Sequence, residues 1–231
     1  MTDTPSPSPP AAIQATERRT RWLEVFALFG AVPFCIRLAL PTRYLLPVLW
    51  VISLIVYLAL RRSRTFDRTS LTTWNGWRHE LKPMLLRFAL LAAVLIIALA
   101  LYRPQLLFSL PSRNLRIWLT VVVLYPILSV FPQGLIYRAL FMHRYAILFG
   151  RPVAVRLAGA LVFSLAHLPF GNPVALIFTF FGGLVFLSTY QRTGSLPLTW
   201  LEHALYGNLL FTVGWGYFLY HGGTQALLLQ G

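Results

Sequence analysis

Acidic residues are the scarcest feature of this chain. Its 231 positions hold six of them (Asp3, Glu17, Glu24, Asp67, Glu80 and Glu202) against 20 lysines and arginines. Charged residues of either sign make up only 11%, too few for the surface of an ordinary soluble domain. Cysteine is nearly absent as well. The single Cys35 excludes an internal disulfide framework and any cysteine-based metal cluster, and its apolar setting reads as simple packing. No internal repeat is visible. The opening run Thr4-Pro5-Ser6-Pro7-Ser8-Pro9-Pro10 cannot hold a helix and lacks the basic-then-apolar order of a cleaved signal peptide.

What is abundant is apolar sequence, 57% of the chain. A membrane crossing needs about 20 mostly apolar residues. Such stretches lie at about 22–40, 44–60, 84–102, 115–148, 153–169, 173–190 and 196–213, and an aromatic piece from Trp215 to Tyr220 offers a short eighth. The expected fold is all-α, a polytopic transmembrane bundle of about seven or eight helices. Residues 1–20 are expected to form a disordered cytoplasmic tail and 21–231 a single transmembrane domain. The segment 115–148 is too long for one straight crossing, and Pro126 and Pro132 should kink it. Gly182-Gly183 should let two helices approach closely.

The net charge of +14 suggests nucleic acid only superficially. The basic residues gather at the ends of apolar segments: Arg18, Arg19 and Arg21; then Arg61 to Lys82 with Trp74 and Trp77; then His143, Arg144 and Arg151; then Arg192. That distribution marks loops retained in the cytoplasm, with the N-terminus inside and the lipid bilayer, not nucleic acid, as partner. Trp74 and Trp77, like the aromatics at 215–220, read as interfacial belts, and His79, His143 and His221 as interface residues without chemistry.

A small polar set remains inside apolar segments: Arg138, His167, Glu202, His203 and Asn208. Ionisable groups at membrane depth are costly and mark sites by default. They lie in three local patterns: Pro132-Gln133-Gly134-Leu135-Ile136-Tyr137-Arg138, Phe163-Ser164-Leu165-Ala166-His167, and Glu202-His203-Ala204-Leu205-Tyr206-Gly207-Asn208. On a helix, residues four apart share a face, so Gly134 sits with Arg138 and Phe163 with His167.

In order and spacing these patterns resemble the CPBP family of CAAX-processing and bacteriocin-processing intramembrane endopeptidases, also called Abi proteins, over about 115–213. That family carries Glu-Glu-x-x-x-Arg, then Phe-x-x-x-His, then His-x-x-x-Asn or Asp on separate transmembrane helices. The wording here is most similar to a bacterial subgroup tied to sorting of proteins with C-terminal anchor segments. The resemblance implies an integral protein of the bacterial cytoplasmic (inner) membrane. It implies a glutamate-dependent protease that cuts a membrane-anchored protein or peptide near its C-terminal anchor. His167 and His203 would hold a water, Arg138 would support them, and Asn208 with a histidine would stabilise the oxyanion.

Two departures stand out. The family's acid pair falls on Gln133 and Gly134, and the resemblance puts the base at the second position, where glycine has no side chain. Gln133 can orient water but cannot take its proton. Loss of a general base costs about 10²–10⁴ in rate. Second, Gly207 stands four residues after His203, while Asn208, five on, points about 140° away at 100° per residue. Tyr206 is a substitute donor. Glu202 either replaces the missing base or, as the more economical reading, pairs with Arg138 or Arg156. His167 and His203 have a packing alternative, and Arg138 a purely charge-neutralising one. No cofactor is expected. Zinc at His167 and His203 is the alternative, a poor one because zinc usually takes four ligands. The competing function is an inactive relative that binds membrane segments as an adaptor or chaperone.

Overall fold

The structure, a computed structural model, describes residues 15–219. Tyr220 and His221, expected at an interface, lie outside the described residues. Among those described there is no strand; nearly all are helical. Six helices are long and apolar enough to cross a membrane: α1 (Ala15–Ala39), α2 (Thr42–Arg62), α3 (Trp77–Tyr102), α4 (Leu115–Leu148), α5 (Pro152–Phe170, ending in a tighter turn) and α6 (Pro173–Thr193). α7 (Leu196–Val213) is the innermost helix, with Leu198, Thr199, Glu202, His203, Tyr206 and Val213 all buried. The protein is an integral membrane protein with an all-α bundle. α1 begins at Ala15, within the stretch expected to be a tail. Arg78 and Lys82, expected in the basic loop, lie on the first turns of α3.

Helix ends follow their sequence signals. Asn114, Asn172 and Ser195 each accept a hydrogen bond from the backbone N–H three residues on, which starts α4, α6 and α7. Two membrane faces result. On the first, Glu24 grips Arg144, Ser63 meets His143, and Asn75 bonds Thr193 O. On the second, Asn172 Nδ2 donates to Phe218 O and Phe108 N to Val213 O.

The α5–α6 hairpin is the tightest pairing. A Cβ at Gly183 would lie 2.8 Å from the Ala160 Cα, and one at Gly159 2.3 Å from Leu187. Gly183 is thus the close-approach position expected of the glycine pair; a Cβ at Gly182 meets only Phe186 of its own helix. Cys35 is exposed, not packed inside, because α1 is peripheral and turns much of its surface outward. Among the described residues the piece after α7 is one short turn, Trp215–Phe218. Trp215 is not a belt residue: it is buried, donates to Leu95 O at 3.0 Å and stacks on Tyr102.

Both prolines of α4 disturb it as expected, without ending it. The helix widens into π-type turns at Pro126–Val130 and again at Leu135–Tyr145. A proline cannot donate to the carbonyl four residues earlier. For Pro126 that carbonyl is Val122 O, which takes Asn208 Nδ2 at 3.1 Å. For Pro132 it is Leu128 O, which takes Trp50 Nε1 at 2.9 Å. Pro126 O itself takes Trp200 Nε1 at 2.7 Å. Side chains from α2 and α7 therefore supply the bonds that α4 gave up. Replacing Trp50 by Phe or Asn208 by Leu strands a carbonyl in an apolar setting, so each should destabilise the fold by about 1–3 kcal/mol. Thermal unfolding in micelles measures it, with Leu90→Ala, on an exposed face of α3, as the control.

Candidate functional site

α4, α5, α6 and α7 converge on a cavity of about 1270 Å³ that also reaches α1 and α2. Gln133, Tyr125, Phe163, His167, Phe186 and His203 line its polar end. Its rim includes Leu28, Leu46, Ile55 and Phe181, all exposed apolar side chains, so the cavity can be reached sideways from lipid.

The histidines come from different helices and meet on one ring. His167 lies edge-on to Phe163 at 4.9 Å between centroids, and His203 does the same at 5.5 Å. His203, 6% exposed, also stacks on Phe186 at 4.4 Å. His167 Nδ1 lies 2.8 Å from Phe163 O. A carbonyl only accepts, so Nδ1 carries a proton and Nε2 is the nitrogen left for another partner. His203 Nε2 is 3.3 Å from the Tyr125 hydroxyl. Arg138 packs on the same two phenyl rings, its guanidinium carbon 4.3 Å from the Phe163 centroid and 5.1 Å from that of Phe186. It is in electrostatic reach of His167, His203 and Glu202. Arg138, His167, His203 and Glu202 are therefore one cluster.

Tyr125 was not singled out in the sequence, and it explains Gly207. A Cβ at 207 would lie 2.3 Å from the Tyr125 hydroxyl oxygen. The phenol thus fills the place of a side chain four residues after His203 and bonds that histidine. The signal was present: a glycine one turn beyond the histidine, on its own face, needs something large to fill it. Asn208, by contrast, does not line the cavity; it is turned to the Val122 carbonyl, in agreement with its angle on the helix. Its amide is engaged within the fold, away from the cavity.

Glu202 is fully buried, and its partner is neither Arg138 nor Arg156. Arg87 of α3 donates to Glu202 Oε1 at 2.9 Å, and the Tyr206 hydroxyl approaches the same oxygen at 3.4 Å. Arg156 reaches Ser188 instead. Arg87 also lies 3.6 Å from Glu80, which Arg192 holds through both oxygens at 2.7 and 2.9 Å. An Arg192–Glu80–Arg87–Glu202 ladder thus runs from the first face to the core. The expectation that Glu202 is a paired charge stands with a different partner, an arginine of α3. Tyr206, considered as a donor to the site, serves this ladder.

The two motif positions on α4 divide. Gln133 lines the cavity, with Nε2 bonded to Ser129 at 2.8 Å and Oε1 buried without a protein partner. Gly134 is buried against α7, where a Cβ would meet Leu196 Cδ1 at 3.2 Å, tight but relieved by a small shift of that side chain. Among the described residues no group of three or more His, Cys, Asp or Glu side chains is placed to hold a metal ion.

Removing Arg87 alone leaves the Glu202 carboxylate buried and uncompensated. Arg87→Met should therefore cost more stability than the Arg87→Met/Glu202→Gln pair, with a coupling of about 1–3 kcal/mol. Thermal melts of the four proteins in a double-mutant cycle measure it; additive losses would make the ladder energetically idle.

Comparison with known proteins gives one family. Residues 114–209 match the family model described as "Type II CAAX prenyl endopeptidase Rce1-like". No curated protein and no solved structure matches the chain.

Proposed function

We propose, for a chain whose residues 114–209 form an Rce1-like type II CAAX prenyl endopeptidase domain consistent with the CPBP family, that the bundle receives a membrane-anchored protein or peptide near its C-terminal anchor. There it presents the peptide bond to an intramembrane endopeptidase site. The family supports an intramembrane protease. The observation that carries the reading to this site is that His167 and His203, from separate helices, line one lipid-reachable cavity and pack on the same Phe163 ring. The setting proposed is the bacterial inner membrane, with the first face cytoplasmic. Clusters of arginine at 18–21, 61–68, 144–151 and 192 support that orientation.

Hydrolysis of a peptide needs a water oxygen brought to the carbonyl carbon, an acceptor for its proton, and donors where the oxyanion forms. In this reading the histidines hold the water, and Tyr125, whose hydroxyl is 3.3 Å from His203 Nε2, donates to the oxyanion. What this chain lacks is a carboxylate at either motif position, 133 or 134. Gln133 faces the cavity but an amide cannot serve, Gly134 has no side chain, and Glu202 has one oxygen committed to Arg87 and Tyr206. Capture of a segment should therefore be intact and turnover slow. The same commitment of Glu202 favours the second reading, an adaptor or chaperone that binds membrane segments without cutting them.

The two readings separate in one assay. The original protein, Gly134→Glu, Gln133→Glu and Glu202→Gln are reconstituted in nanodiscs and offered a panel of anchored peptides. Cleavage is read by mass spectrometry and capture by crosslinking. An acid restored at 133 or 134 should raise cleavage by about 10²–10⁴-fold over the original. Capture without cleavage by any variant would establish the adaptor. Cleavage by the original that disappears in a folded Glu202→Gln protein would make Glu202 the base.

A further inference from the structure

We propose that the core of this protein holds a small anion, a carboxylate by preference, on the Arg138 guanidinium beside Gly134. Arg138 is 2% exposed, and its Nη1 and Nη2 have no hydrogen-bond partner among the described residues. A buried guanidinium needs both donors satisfied and its charge matched. The Phe163 and Phe186 faces answer only in part, since cation–π contact leaves the N–H groups unbonded.

Charge is what selects an anion over a water. Among the described residues Glu202 is the carboxylate in electrostatic reach of Arg138, but Arg87 shares it, Glu80 balances Arg87, and Arg192 balances Glu80. The ladder is neutral as a whole, so the Arg138 charge is left over. Water would satisfy the N–H groups and leave that charge unanswered. A carboxylate answers both, because two oxygens match the two unbonded nitrogens in the fork geometry that guanidinium favours. On α4 the residue one turn before Arg138 is Gly134, from which a covalent carboxylate would reach the same group. Phe163 and Phe186 line the cavity and pack on the guanidinium, while Arg138 and Gly134 do not line it themselves, so an ion arriving from the cavity has to pass these two rings. This inference does not require that the protein cleave anything.

Thermal unfolding in uncharged detergent tests it, with sodium formate and acetate titrated against sodium sulfate at equal ionic strength. The expected result is a saturable rise in Tm with formate, about a few degrees per tenfold increase above half-saturation, and little with sulfate. Gly134→Glu supplies its own carboxylate, so it should melt higher in the absence of formate and lose the response. Arg138→Met should lose the response as well. No saturable, carboxylate-selective rise in the original protein would overturn the proposal without any variant. So would an equal response in Gly134→Glu or Arg138→Met, which would mark a general salt effect.

Discussion

Inside an apolar bundle no polar group can be left to solvent, and that constraint organises this protein. α4 carries two prolines and therefore gives up backbone bonds at Val122 and Leu128. Asn208 and Trp50, from α7 and α2, supply them. These bonds tie the widened helix to its neighbours, so the turns that carry Gln133, Gly134 and Arg138 have a fixed bearing against α7. Glu202 obeys the same rule through Arg87, which draws α3 against the core. These polar ties join α2, α3, α4 and α7, all of which contribute to the cavity wall.

The site itself is built around an aromatic frame. Phe163 touches both histidines and Arg138, and Phe186 touches His203 and Arg138. Rings of this kind fix imidazole orientation through packing, which leaves the nitrogens for Tyr125, for the Phe163 carbonyl and for a ligand. The cavity brings together two imidazoles, a phenol and an amide, and neither Gln133 nor Gly134 carries a carboxylate.

Particular residues show where the sequence could be read and where it could not. The helix count, the disturbance at Pro126 and Pro132, the close approach at Gly183 and the convergence of His167 with His203 were all legible. Each depends on local periodicity or on spacing within one helix. Asn208 was readable in part: its angle on the helix set it apart from His203, and only the fold showed the carbonyl waiting for it. Arg87 was missed as the partner of Glu202 because the two are 115 positions apart and nothing on either helix encodes their facing. Trp215 was misread because an aromatic near a helix end looks the same whether it meets head groups or the inside of a bundle.

What the sequence determined by itself is the solvent of this protein and the chemistry it can bring to one place: long apolar helices, a few polar side chains that lipid would not tolerate alone, and no acid at 133 or 134. These follow from composition and from the 3.6-residue period, which act within a segment. Tertiary structure alone decided which polar group answers which. It paired Glu202 with Arg87, put the Tyr125 phenol where Gly207 leaves room, and left Arg138 without a counter-charge. Partner choice in a bundle depends on how helices are rotated against one another, and that rotation is set jointly by all the packed faces, not by any one segment.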